Sequence, residues 1–308
     1  MRICSLLPSA TEVIALLGLS DELVGISHEC DYPPSVRNVP IMVEPMVSPH
    51  GLTSADIDSQ VSQLVASGQR LYRLKDHLLQ QAQPDLIVSQ DLCHVCAITP
   101  SQLHEAIGSM PRQPTLLTLN PSTVQDVIND VVRIGDAADR SVEAHLLATQ
   151  LRDRLDALHS RTQGITHRPR VVCIEWLFPL YVAGHWVPEM VQLAGGQDVL
   201  AQPGSPSRVV LWDEVLAAAP DVLIIMPCGF FVERTHRELQ QLMGQPGQWP
   251  LSDDLAQRTF LVDASSYFSR PGPRLIDGIE LLATLLHPSD DDQIDESKAR
   301  RLGPVPIH

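Results

Sequence analysis

Arg2-Ile3-Cys4-Ser5-Leu6-Leu7, followed at once by Pro8-Ser9-Ala10-Thr11-Glu12, is the stretch that decides the fold. A short apolar run reads as a strand. It empties into small hydroxylated residues and then into a helical pattern. Ser9 to Glu12 has the form of a capping box, in which the Ser9 hydroxyl meets an orphan amide and Glu12 reaches back. Gly18 stands where that helix is expected to end.

The same pattern recurs along the chain. Apolar runs at 23–27, 86–89 and 115–119, then at 170–176, 222–226 and 260–262, alternate with helical segments. Strands separated by helices predict a parallel or mostly parallel sheet covered on both faces. Thr99-Pro100-Ser101-Gln102 and Ser122-Thr123-Val124-Gln125 add further helix starts. Between the two groups of strands, 123–161 is helical with a break at 135–140. Its second half carries Val142, Leu146, Leu151, Leu155 and Leu158 at helical spacing. About 20 residues of helix span on the order of 30 Å, enough for one rod between two lobes. The expected fold is therefore α/β, with two Rossmann-like lobes, mostly parallel sheets and a single long connecting helix. The expected boundaries are 1–122 for the first lobe, 123–168 for the connector, 169–287 for the second lobe and 288–308 for a solvated tail.

Composition excludes several classes of function. The 308 residues are 44% hydrophobic and 19% charged, a globular balance, and the net charge is −15. A nucleic-acid backbone or an anionic membrane as main partner would require a basic surface instead. Arg2 resembles the start of a signal peptide, but 3–19 contains Pro8, Ser9, Thr11 and Glu12 and no small-residue cleavage site. No apolar run reaches the 18 residues of a membrane span. A cytoplasmic protein without membrane insertion is expected. Disulfides are rare there, so the six cysteines point to buried thiols, a metal site or redox chemistry.

In a parallel sheet the loops that leave the strands gather at one edge, and residues distant in sequence converge there. This places Ser9 and Thr11, His28 and Tyr32, Glu175 and Trp176, Trp186, Phe230, Tyr267 and Arg270 as candidate ligand-binding residues. Eleven of the thirteen aromatic residues lie between Trp176 and Phe268. They suit either the wall of a recess for a flat organic ligand or an asymmetric second-lobe core, to which Trp212 and Trp249 are assigned. Arg270-Pro271-Gly272-Pro273-Arg274 is stiffened by its prolines. Arg270 is expected to face the cleft and bind a carboxylate or phosphate, and Arg274 to be structural. Cys93-His94-Val95-Cys96, with Cys30 and Cys228 on other exits, has the makings of a zinc or iron site or of a redox dithiol. Simple packing of the thiols is the third reading. Cys4 and Cys173 fall within strands and are expected to pack. The chain has no Gly-x-Ser-x-Gly elbow, phosphate-binding Gly-x-x-x-x-Gly-Lys loop, His-Glu-x-x-His helix or GxGxxG after the first strand, so no catalytic residue is assigned.

Ser5-Leu6-Leu7-Pro8-Ser9-Ala10-Thr11-Glu12, Leu16-Leu17-Gly18-Leu19, Val24-Gly25-Ile26-Ser27, Pro84-Asp85-Leu86-Ile87 and Ala194-Gly195-Gly196, in that order, resemble the class III periplasmic binding proteins of the vitamin B12- and siderophore-binding type. The resemblance implies two α/β lobes bridged by one long helix, with little hinge closure. A corrinoid such as cobalamin, or a similar small-molecule metal chelate, is the implied ligand between the lobes. His28-Glu29-Cys30-Asp31-Tyr32-Pro33, the Cys93 to Cys96 motif, Glu175-Trp176, Cys228-Gly229-Phe230 and the 270–274 segment more narrowly resemble a cytosolic branch. Exported members carry an export signal and lack four cleft cysteines, so docking to an ABC permease is not expected. The alternative is a cytosolic metalloprotein or redox enzyme that uses Cys30, Cys93, Cys96 and Cys228 on the same scaffold.

Overall fold

The structure, a computed structural model, describes residues 1–90, 100–108, 110–245, 249–289 and 293–303. The first lobe holds β1 (Ile3–Ser5), β2 (Leu23–Ser27), β3 (Ile41–Pro45), β4 (Tyr72–Leu74), β5 (Leu86–Gln90) and β6 (Thr115–Leu119). Their order is β4-β3-β2-β1-β5-β6, parallel except for β4, which runs against β3. The second lobe holds β7 (Arg170–Trp176), β8 (Tyr181–Val182), β9 (Gln197–Asp198), β10 (Arg208–Val209), β11 (Val222–Ile225), β12 (Thr259–Val262) and β13 (Ala299–Arg301). The order is β10-β8-β7-β11-β12-β13, with β9 also paired to β7. Here β7, β9, β11 and β12 are parallel, β8 opposes β7 and β10, and β13 opposes β12. The fold is therefore α/β in two lobes, and both sheets are mixed.

The central strands form where apolar runs are covered on both faces. All four residues of β11 are buried, as are Val171 to Ile174 of β7. The short β3, β4, β8, β9 and β10 went unforeseen, because the last four have only two or three residues each and the apolar Ile41-Met42-Val43 of β3 runs directly into Glu44 and Pro45. The tail is a further correction. Ala299 is fully buried, β13 closes the edge beside β12, and the Asp263 amide donates to the Lys298 carbonyl at 2.8 Å. Composition misled here because an edge strand needs only backbone groups to pair, while Arg300 finds Glu233 at 2.6 Å.

The helices are α1 (Pro8–Leu16), α2 (Ser54–Ala66), α3 (Asp76–Ala82), α4 (Pro100–Gly108), α5 (Val124–Ala137), α6 (Ser141–Thr162), α7 (Val187–Leu193), α8 (Trp212–Ala217), α9 (Val232–Met243), α10 (Asp253–Gln257), α11 (Ala264–Tyr267) and α12 (Leu275–Leu286). The capping box expected at Ser9 does not form. Leu7 occupies the N-cap, Ser9 and Glu12 lie inside the helix, and the Glu12 carboxylate turns to Arg274 instead. True boxes form at Thr53 with Asp56 and at Thr123 with Asp126. Gly18, at φ +76°, follows the end of α1 as expected.

The long helix is α6, with 22 residues. It packs on α5, which lies against α1 of the first lobe, and on α7 and α12 of the second. One apolar core thus runs from β1 and α1 through α5 and α6 into α7, α12 and β12. The buried stripe of α6 differs from the expected one. Ala144, Ala148, Leu151, Leu158 and Thr162 face inward, whereas Val142 and Leu146 are 72% and 60% exposed. Close approach of α5 selects alanine over leucine on the first turns. A Cβ added at Gly135 would collide with the Cβ of Ala144.

Gly135→Ala should therefore cost about 2 kcal/mol through overpacking, despite its gain in helix propensity, and lower the denaturant midpoint. A second test concerns Asp198, whose carboxyl burial pushes up to about 6 against the amides of Leu200 and Ala201. The folded state holds this proton where an unfolded aspartate, at about 3.9, has lost it, so stability is lost as pH rises through that window. Asp198→Asn mimics the protonated form. Its stability relative to the parent should rise between about pH 4 and 6 and level off above, as read from urea midpoints.

Candidate functional site

In the first sheet β1 lies between β2 and β5, and in the second β7 lies between β8 or β9 and β11. The direction of winding reverses at these strands, which opens a crevice outside their carboxyl ends. The loops leaving β1 and β2 meet the one leaving β12 from the other lobe. Arg270 Nη1 donates to Asp31 Oδ1 at 2.5 Å and Nη2 to Glu29 Oε2 at 3.4 Å. Arg274 Nε donates to Glu12 Oε2 at 2.7 Å, and its guanidinium stands 4.0 Å from the Tyr32 ring centre. Between them Gly272 rests on Ser9, where a Cβ would meet that residue's Cβ at 3.2 Å.

A second set of bonds lies on α9. Arg234 Nη2 donates to the carbonyls of Pro49 and Leu52 at 3.0 and 3.3 Å, with its guanidinium 3.7 Å from the Phe230 ring centre. Glu238 accepts from the backbone amide of Ser54 at 2.8 Å and from its hydroxyl. All three arginines come from the second lobe.

The electrostatics follow from partial burial. The bond from His28, with help from Arg270, holds the Glu29 carboxyl below its usual range although burial opposes this. Burial alone would lower the Arg270 pKa, but Asp31 and Glu29 outweigh it. For Glu12 burial dominates and raises the pKa against the pull of Arg274. Burial likewise raises the Asp263 carboxyl.

The predicted site residues separate into two groups. Tyr32 is 42% exposed, and His28, Glu175, Trp176, Tyr267 and Arg270 are partly buried at the strand exits. Trp176 packs edge-on against Phe230 at 5.5 Å. Four others are set inside the lobes. Ser9 lies beneath Gly272, and the Thr11 hydroxyl lies 2.8 Å from Ser5 Oγ and 3.0 Å from the Cys30 sulfur. Trp186 is 6% exposed and donates its indole N–H to the Phe268 carbonyl at 2.8 Å, so it is a core residue instead of a cleft wall. Phe230 is 1% exposed. Trp212 and Trp249 pack edge-on at 4.9 Å, as assigned.

Among the cysteines, Cys4 and Cys173 are buried as expected. Cys30 is 5% exposed and part of the core, whereas Cys228 is exposed. Cys93 and Cys96, with His94, lie outside the described residues. Among those described, no group of three or more His, Cys, Asp or Glu is placed to hold a metal.

Sequence reasoning missed Glu29 and Asp31, although it quoted the loop that carries them. It also missed Arg234, Ser54 and Glu238. Nothing local marks a helix-surface residue as an interlobe contact. Phe178 and Phe231, which belong to the aromatic group that the sequence places near strand exits, are each 49% exposed. Recesses of about 640 Å³ beside Arg70, Tyr72 and Arg73, and of about 300 Å³ beside Phe231, Asp263, Tyr267 and Lys298, are each lined from a single lobe. No helix among the described residues is long and apolar enough to cross a membrane.

Comparison with known proteins agrees with this architecture. A vitamin B12-binding protein of Vibrio cholerae is 23% identical over 300 residues, covering 92% of this chain and 88% of the relative. The periplasmic heme-binding protein of Roseiflexus sp. RS-1 in apo form superposes with a TM-score of 0.68 at 21% identity, over 93% of this chain and 97% of that one. A periplasmic heme-binding protein from Pseudomonas aeruginosa gives 0.70 at 18% identity, over 99% and 98%. The family model described as periplasmic binding protein matches residues 3–248, across both lobes. The chain therefore belongs to the periplasmic binding protein family, in the class III form with two α/β lobes.

Proposed function

We propose that this protein binds a flat metal chelate, a corrinoid such as cobalamin or a comparable tetrapyrrole, between its lobes. The observation that carries the reading is the placement of Tyr32, Phe178 and Phe231. Each follows the carboxyl end of a strand, at β2, β7 and β11, and each residue is 42–49% exposed. Large apolar rings left in water at a switch point are what a flat hydrophobic ligand would cover. The relatives named for vitamin B12 and heme support the same chemistry.

Ligand hand-over to an ABC permease is typical of the family. Such a partner would meet the two lobes in the relative placement that the interlobe bonds impose. The cytoplasm is the compartment proposed, since Cys4, Cys30 and Cys173 are free thiols, which suits reducing surroundings, although the named structural relatives are periplasmic. The competing reading, a metalloprotein or redox enzyme, loses weight at Cys30. Burial pushes that thiol up to about 11, which disfavours the thiolate that disulfide exchange needs.

Titration with cyanocobalamin and with hemin, followed in the visible spectrum, should give saturable binding of at least one. Phe231→Ala should weaken it about tenfold, as loss of an exposed aromatic contact implies. The absence of saturable binding by either would end this reading. Alkylation by iodoacetamide at about pH 8, mapped by mass spectrometry, should spare Cys30 in the native protein and modify it once urea unfolds the chain. Rapid modification of the native protein at that position would restore Cys30 as a reactive thiol.

A further inference from the structure

Arg270 and its partners differ sharply in their access to water. The arginine side chain is 12% exposed, whereas Glu29 and Asp31 are 48% and 43% exposed. A guanidinium so far removed from water requires an anion beside it. The carboxylates do not require the arginine, because water can solvate them in its place. The neighbouring pair is built the other way, with Glu12 5% exposed against 17% for Arg274, so Glu12 cannot swing out unpaired.

The fork of Arg270 is also divided. One nitrogen takes Asp31 at 2.5 Å and the other takes Glu29 at 3.4 Å, so two side chains of one loop occupy the positions that a single bidentate carboxylate or phosphate would fill. Glu29 has an alternative partner in His28, whose Nε2 lies 3.4 Å from its Oε1. Tyr32, one of the exposed rings, adjoins Asp31 in sequence.

We propose that Glu29 and Asp31 act as an internal substitute for an anionic group of the ligand. They occupy Arg270 in the unliganded protein and are displaced when a ligand bearing a carboxylate or phosphate enters. Arg270 then determines specificity for anionic ligands, and the loop carboxylates set the affinity by competing for it. The inference rests on the reading of an interlobe ligand site, and its first test does not depend on any chelate.

Glu29→Gln with Asp31→Asn removes the competing charges at two partly exposed positions. Malonate, compared with chloride at equal ionic strength, should then raise the melting temperature of the double variant by about 2 °C. The parent protein should show no such difference. Adding Arg270→Lys, which keeps the charge but loses the fork, should abolish the response. An equal response in the parent, or an undiminished response once Arg270→Lys is added, overturns the proposal. In the second test the double variant should bind hemin about fivefold more tightly than the parent does, and hemin dimethyl ester equally. Equal tightening of both porphyrins also overturns the proposal. A malonate response without binding of either porphyrin or of cyanocobalamin leaves the exchangeable anion site standing and removes the metal-chelate reading alone.

Discussion

The apolar core that passes without interruption from the first lobe through α5 and α6 into the second is the constraint on which the other features depend. Each lobe folds around its own sheet, but Val131 and Ile134 of α5, Ala144 and Ala148 of α6, and Met190 and Leu282 beyond them belong to one buried cluster. Burial of a large aliphatic side chain is worth about 1.5–3 kcal/mol. Rotating one lobe against the other would expose part of that surface. The relative placement of the lobes is thus held by packing, and the strand exits face each other as a consequence.

Polar contacts then refine this placement from the opposite side. Arg234, Arg270 and Arg274 all reach from the second lobe to acceptors on the first, within a chain of net charge −15. They serve different ends. Arg274 with Glu12 is sunk beneath the seam and fixes its geometry. Arg234 holds carbonyls of the loop before α2. Arg270 is buried against carboxylates that water can reach, which combines a structural tie with an exchangeable anion site.

The fold was largely legible from the chain. Seven apolar runs became β1, β2, β5, β6, β7, β11 and β12, because strands buried on both faces must be apolar throughout. The break between α5 and α6 was also visible, and the start of α5 was legible to within one residue, with the cap at Thr123 instead of Ser122, since both depend on neighbouring residues only. The site was less legible. Trp186 and Phe230 have the composition of a ligand wall, yet whether an aromatic ring faces a cleft or a core depends on what packs over it. Glu29 and Asp31 stood in a loop already singled out, but the residue that gives them meaning, Arg270, lies 241 and 239 positions away.

Local patterning by itself determined the α/β class, the two groups of strands and the connecting helices, because periodicity and capping are short-range properties of the backbone. Tertiary structure alone decided that β13 returns to the second sheet, that alanines rather than leucines face α5, and that Glu12 leaves its own helix end for Arg274. In each case the deciding energy comes from burial or pairing between segments remote in sequence. Those contacts leave no trace in the spacing of neighbouring residues.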